Sequence, residues 1–168
     1  MKVVNSTFTF SLGVPLALDV LARTLWDVEY NAVKFPSVVM RLRKPRSTAL
    51  ISSTGKVVLV GCISHKEASS ASKLICKRVQ RVTPTAQISS LSCRNLVGSA
   101  THSFDLRPYW NREGTKTFHN PSVFPGLHVT LEAKAKATVF ASGILYVTGV
   151  DSLNRLEEAH LELCFVLI

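Results

Sequence analysis

The sequence predicts an α+β fold built from two copies of one half-domain, with antiparallel strands covered by helices on one face. One pattern occurs twice: an Asn on a strand, a Phe-Pro pair about thirty residues later, and a Ser/Thr-Gly turn before a short apolar strand that ends in Gly. Its members are Asn5, Phe35-Pro36, Thr54-Gly55 and Gly61 in the first half, and Asn95, Phe124-Pro125, Ser142-Gly143 and Gly149 in the second. The two Asn lie 90 positions apart, the two Phe 89 and the two closing Gly 88, which is typical of a duplication. We therefore expect repeats at 1–84 and 85–168 that together form one domain.

Each half is predicted to run strand, short helix, several antiparallel strands, long helix. In the first half we expect a strand at Val3 to Leu12, a helix at Leu16 to Leu25, a hairpin of Phe35 to Arg43 with Arg46 to Ile51, a strand at Lys56 to Val60, and a long helix after the capping box Ser64-His65-Lys66-Glu67. In the second half we expect a strand from Ser92, a polar and aromatic stretch from Phe104 to Phe118, strands from Phe124, Ala137 and Leu145, and a helix from Ser152 behind an Asp151 cap.

The net positive charge is confined to the first half. Residues 1–84 hold thirteen Lys and Arg against four Asp and Glu, whereas residues 85–168 hold seven against seven. A polyanion such as nucleic acid is one partner that this predicts, and a solvated basic face is the alternative.

Several classes of protein are disfavoured. The sequence has no run of eighteen apolar residues for a membrane span, and polar residues alternate through the first ten positions where a signal peptide would be apolar. The four Cys have no C-x-x-C spacing and predict buried, reduced thiols in an intracellular protein, with a metal or disulfide role as the alternative. We expect no metal and no cofactor. The five His have no spacing typical of catalysis, and His160 with Cys164 is one turn of a packed helix. An enzyme is not expected.

Some strands are apolar on both faces, although helices are expected on only one. Val57 to Val60 and Leu145 to Val147 are the clearest cases. A buried central strand is one explanation for a single strand. Because the pattern occurs in both halves, with Asn5, Asn95 and Thr148 expected on the same exposed face, an apolar binding surface is the better interpretation.

The stretch from Glu29 to Lys56, with Phe35 to Ile51 at its centre, closely resembles the first repeat of the TATA-box-binding protein (TBP) family. Asn95 to Ser99, Phe124 to Leu127, Phe140 to Gly143 and Val147 to Gly149 resemble the second repeat. The resemblance spans nearly the whole chain. It implies a pseudo-twofold saddle, a curved antiparallel sheet of about ten strands with helices on the convex face, whose concave face binds the DNA minor groove.

The resemblance assigns roles to individual residues. Family members insert two Phe wedges per half between base steps, and Phe35, Phe124 and Phe140 match three of these positions, while the fourth is Ser52. The residues that match minor-groove contacts are Asn5, Asn95, Thr148, Leu50, Val58 and Val97, which suits an A·T-rich site. Arg41 and Lys56 match phosphate contacts, and their counterparts in the second half are Thr130 and Ile144.

The resemblance also implies partners. The acidic loop that docks the B-type general transcription factor in the family is replaced by Asn120-Pro121-Ser122-Val123, which puts that contact in question. The first long helix stays basic through Lys73, Lys77, Arg78 and Arg81, and in the family this helix binds other factors such as the A-type general factor and regulators; a solvated helix face is the alternative.

These departures predict a TBP-related, nuclear factor of transcription initiation. It either binds double-stranded DNA with weakened or altered TATA preference and nucleates a preinitiation complex, or serves mainly as a protein-protein platform with little intrinsic DNA binding. An exposed apolar face is also compatible with self-association without DNA, although nothing in the sequence specifies it.

Overall fold

The computed structural model describes residues 1–109 and 117–167 and consists of antiparallel strands and three α-helices within those ranges. The strands are β1 (Lys2–Ser11), β2 (Val28–Asn31), β3 (Phe35–Leu42), β4 (Ser47–Ser52), β5 (Lys56–Val60), β6 (Ser89–Thr101), β7 (Thr117–Phe118), β8 (Gly126–Thr130), β9 (Lys136–Phe140) and β10 (Ile144–Val150). The helices are α1 (Leu18–Thr24), α2 (His65–Val79) and α3 (Leu153–Val166), with short 3-10 helices at Arg107–Tyr109 and Glu132–Lys134. The strand order is β2-β3-β4-β5-β1-β6-β10-β9-β8-β7.

Two compact units can be distinguished, and their strand and helix patterns are described separately below. The first unit is Asn5–Arg94, and the second is Met1–Val4 with Asn95–Ile168. Within the described residues, no helix is long and apolar enough to cross a bilayer.

In the first unit, alternate residues along much of β3, β4 and β5 are buried under the helices. On β4 and β5 the buried members are Ala49, Ile51, Val57 and Leu59, and the residues between them are partly or fully exposed. Leu21 of α1 and Ile75 of α2 are fully buried in the same core. Each buried aliphatic side chain of this size contributes about 1.5–3 kcal/mol, so the helices hold one sheet face firmly. We call the other face, in either unit, the open face.

The second unit repeats this arrangement with one long helix. Leu127, Val139 and Leu145 of its strands are fully buried, and Leu156 of α3 packs directly on the backbone of Gly98. The second short helix expected in the stretch Phe104 to Phe118 is represented by the 3-10 turn Arg107–Tyr109, and residues 110–116 lie outside the described part of the chain.

The boundaries of several elements differ from the sequence-based prediction. The strand expected from Phe124 begins at Gly126, because Phe124 still belongs to a turn closed by its own N–H donating to the Asn120 carbonyl (2.9 Å). Ser152, and not Asp151, caps α3 by accepting from the Arg155 N–H. At α2, Ser64 accepts from the Glu67 N–H as predicted, but the Glu67 carboxylate accepts from Ile63 N–H, one residue before the cap.

Two of the four cysteines depart from the expected burial. Cys62 and Cys76 are buried, whereas Cys93 and Cys164 are only partly buried. Burial raises the pKa of the Cys62 and Cys76 thiols, so both are protonated and unreactive near neutral pH.

Candidate nucleic-acid interface

The open face of the first unit is apolar at its centre. Leu50 of β4 lies opposite Val39 of β3 and Val58 of β5, and all three side chains are half-buried without a helix above them. Thr7 pairs with Val60 at the neighbouring β1–β5 ladder. The strands that are apolar on both faces in the sequence therefore have one face buried under the helices and one face that is apolar and half-exposed.

Phe35 lies at the start of β3 on this face and is 43% exposed. Asn31 positions it, because its side-chain oxygen accepts from the N–H groups of Val33 and Lys34 (both 3.2 Å) and so forms the turn that enters β3. Ser52 pairs with Ser37, two residues after Phe35. Its hydroxyl bonds the Thr54 hydroxyl (2.9 Å) and the Lys56 carbonyl (3.0 Å), so the position that the resemblance predicts as the fourth wedge carries a short polar side chain bonded within its own turn.

The second unit places four ring side chains together on its open face. Phe124 stacks on His128 with ring centroids 4.8 Å apart and meets Phe140 edge-on at 5.8 Å. Phe140 in turn meets Tyr146 at 6.3 Å and 87°. A Cβ at Gly126 would lie 2.7 Å from the Phe124 ring, so glycine allows Phe124 to lie close against β8. We call these four residues the ring cluster.

The ring cluster includes one residue that the sequence analysis missed, His128. Tyr146 lies in the stretch Leu145 to Val147, which the sequence analysis interpreted as part of an apolar binding surface, but it was not among the candidate contacts. Asn120 was, as a partner-binding residue, but it acts as Asn31 does: its side-chain oxygen accepts from Ser122 N–H (3.2 Å) in the turn before Phe124. Each turn-forming Asn stands four positions before its Phe-Pro pair, which is the signal that could have revealed this role.

The side chains of Asn5 and Asn95 are each held by a hydrogen bond from a glycine N–H. The side-chain oxygen of Asn5 accepts from the N–H of Gly61 (3.1 Å), and that of Asn95 accepts from the N–H of Gly149 (2.8 Å). Thr148 also donates its hydroxyl to the Asn95 oxygen (3.2 Å). Because each oxygen accepts from a glycine N–H, the nitrogen of the same amide lies on the side away from that N–H group.

The basic residues are engaged to different degrees. Arg41 forms an ion pair with Glu29 across the β2–β3 pair, and both side chains are exposed. Lys56 lines a groove of about 300 Å³ with Arg94, whose guanidinium donates to the Thr9 hydroxyl (2.8 Å). Arg94 was not predicted, and it directly precedes Asn95 in the sequence.

The predicted partner surfaces are mostly exposed. Lys73 and Lys77 of α2 and the following Arg81 are exposed, whereas Arg78 forms a partly buried ion pair with Asp27. In the loop before Phe124, Val123 is 77% exposed and Ser122 is exposed. Arg78 is thus engaged within the first unit.

Asp105, an acidic residue with a shifted pKa, lies on an exposed loop. The Arg107 guanidinium beside Asp105 lowers the pKa of that carboxyl to about 2, through hydrogen bonds first and charge second. An exposed, permanently ionised carboxylate paired with Arg is no general acid or base at neutral pH.

The TBP family model, described as transcription factor TFIID or TATA-binding protein, matches residues 1–82 and 90–167. TATA-box-binding protein 2 of Entamoeba histolytica is 34% identical over 91% of this chain and 75% of its own length, and the TATA-box-binding protein of Acetabularia peniculus is 32% identical over 92% and 83%. The solved TBP of Methanococcus jannaschii superposes with a TM-score of 0.82 at 27% identity, over 96% of this chain and 94% of that one.

The likeness to a solved TBP confirms the predicted α+β fold of the saddle type, and the family confirms that the protein is not an enzyme. The chain belongs to the TATA-box-binding protein family and is a transcription factor of that type.

Proposed function

We propose that the open faces of the two units bind the minor groove of A·T-rich duplex DNA and that the bound protein nucleates a transcription preinitiation complex. The observation that carries this is the shared orientation of Asn5 and Asn95, each with its oxygen on a glycine N–H. The oxygen of each amide is engaged by the protein, and the nitrogen is the donor that we propose for the DNA contact. The minor groove of A·T pairs offers only the acceptors N3 and O2.

The aromatic side chains supply the second part of the proposal. Phe35, Phe124 and Phe140 are wedges that partly unstack base steps, and Leu50, Val58, Val97 and Thr148 line the groove between them. The first unit has only Phe35 for this purpose, because Ser52 occupies the other wedge position. TATA preference and bending are therefore weaker than two wedges in each unit would give.

Phosphate contacts are fewer than the net charge suggests. Lys56 and Arg41 are the proposed contacts, with Arg94 as an addition, and Arg41 has to leave Glu29 to make one. Three neutralised phosphates predict a slope of log affinity against log salt of about −3.

The test is a fluorescence-anisotropy titration against a labelled TATA duplex and a G·C-rich duplex, at several salt concentrations, with end-to-end energy transfer as the reading of bend. Tighter binding to the TATA duplex, a slope near −3 and a shortened end-to-end distance support the proposal. Equal binding to both duplexes with no bend refutes it.

A protein-protein platform is the second candidate function, favoured by the exposed Val123 in a loop that lacks acidic residues. On this hypothesis Asn120, Ser122 and Val123 contact a partner other than the usual B-type factor. Lys73, Lys77 and Arg81 form the surface for an A-type factor or regulator, with Arg78 held by Asp27. Pull-down with purified A-type and B-type general factors, with and without DNA, distinguishes the two functions.

The proposal extends to organisation and location. The two segments matched by the family model, 1–82 and 90–167, support repeats at 1–84 and 85–168. For this promoter-binding role we propose a nuclear location. Self-association without DNA stays a prediction, and sedimentation of the free protein tests it.

A further inference from the structure

Three potential metal ligands meet in the second unit on the helix side of the chain. His160 and Cys164 lie four positions apart on α3, so their side chains share one face of the helix, one turn apart. His102 follows directly after the end of β6. The ligand atoms of these three residues all lie within 4.8 Å of one another.

The geometry is close to what a tetrahedral ion requires. His102 Nε2 and His160 Nε2 are 3.0 Å apart, and the rings are tilted by 42° with centroids 5.0 Å apart. Zinc–nitrogen bonds near 2.05 Å and a zinc–sulfur bond near 2.3 Å, at tetrahedral angles, separate two nitrogens by about 3.3 Å and a nitrogen from sulfur by about 3.6 Å. Small side-chain rotations therefore convert the observed cluster into a coordination site.

The ligands are carried by well-fixed backbone. The His102 N–H donates to the Gly143 carbonyl (2.9 Å), and the Gly143 N–H donates to the Phe140 carbonyl (2.9 Å), which ties His102 to the β9–β10 turn. On α3, Leu156, Ala159 and Leu163 are buried and fix the rotation of the helix. The site is thus formed by elements that the fold already holds in place, which reduces the ordering that an ion has to impose.

We propose that His102, His160 and Cys164 bind a transition-metal ion of the zinc class, with water or an external ligand in the fourth position. Two imidazoles and one thiolate form a donor set that zinc accepts. Binding displaces the thiol proton of Cys164 to solvent and joins the end of β6 to α3. The site takes no part in the proposed DNA contacts and depends on no assumption about them.

The test is titration of the reduced, chelator-treated protein with Co²⁺ as an optical probe, followed by displacement with Zn²⁺. We expect tetrahedral cobalt bands together with a thiolate-to-cobalt charge-transfer band, and loss of both when stoichiometric Zn²⁺ is added. Zn²⁺ should also raise the melting temperature of the wild-type protein, because it binds the folded state.

The variants Cys164→Ser and His160→Gln remove one ligand each, and Cys93→Ser and His65→Gln are matched controls outside the cluster. Circular dichroism establishes whether each variant is folded. If a ligand variant is not folded, His102→Gln, at an exposed position, is used in its place. We expect Zn²⁺ affinity to fall at least about 100-fold in the ligand variants, since even loss of a ligand's hydrogen-bonding partner weakens metal binding 10- to 100-fold. The controls should bind as the wild type does. Wild-type affinity in the ligand variants, or no cobalt binding at micromolar metal, overturns the proposal and leaves a His–His hydrogen bond.

Discussion

Replacing Ser52 by Phe should increase the affinity for a TATA duplex about 10- to 100-fold. A Phe side chain buries about 150–250 Å², which at about 25 cal/mol per Å² stabilises the complex by roughly 4–6 kcal/mol. Unstacking one base step costs a few kcal/mol. The two hydrogen bonds of the Ser52 hydroxyl involve exposed groups that water can satisfy, so their loss contributes little. The net gain is about 1–3 kcal/mol.

The assay is anisotropy with end-to-end energy transfer on wild type, Ser52→Phe and the control Ser53→Phe. Ser53 is the next residue and lies in the turn after β4, so a Phe there adds the same area away from the open face. We expect a larger bend and slower dissociation for Ser52→Phe alone. Unchanged affinity and bend for Ser52→Phe, or an equal gain for Ser53→Phe, would refute the assignment of Ser52 to a wedge position.

Three further predictions concern DNA contact, backbone strain and pH. Asn5→Asp keeps the oxygen that accepts from the Gly61 N–H but removes the donor, so TATA affinity should fall at least about tenfold with little change in melting temperature. Asn154→Asp, an equal charge change on α3, should bind nearly as wild type in the same anisotropy titration. Gly55→Ala should destabilise the fold by about 2 kcal/mol or more in urea unfolding, because Gly55 has φ +79° and a Cβ there would lie 2.2 Å from the Val14 carbonyl oxygen. Burial and the charge of His102 lower the pKa of His160 in the folded state below its unfolded value. The unfolded state therefore binds a proton more readily, and the stability of the fold decreases as pH falls below the unfolded pKa. His160→Gln should flatten the decline in melting temperature between about pH 7 and 5, measured with chelator present.

Local patterns in the sequence predicted most of the elements well. Lys56 to Val60 is a strand with the expected bounds, and Ser64 caps α2 on the Glu67 N–H as expected. Both depend on neighbouring residues only, which is why alternation and capping preferences suffice. The start of β8 was misplaced because the turn that holds Phe124 depends on a hydrogen bond to Asn120, which strand propensity does not register.

The details of the site depend on contacts between distant residues. Arg41 and Glu29 are twelve positions apart and meet only because β2 and β3 pair in one register. His102 and His160 are separated by 58 positions, so their contact could not be inferred from spacing. Resemblance located Asn5 and Asn95 but gave no account of what orients their amides, since the glycine N–H partners lie 56 and 54 positions away.

The ring cluster belongs to one unit, whereas Ser52 belongs to the other. Under the proposed function, the two similar halves bind the two ends of one DNA site. Two identical halves would bind a near-palindromic sequence equally well in both orientations. Unequal halves give the complex a polarity, and a difference of about 1.4 kcal/mol is enough to favour one direction tenfold. Substitution of a single wedge would then do more than weaken binding, because it would help to decide which flank of the target lies downstream.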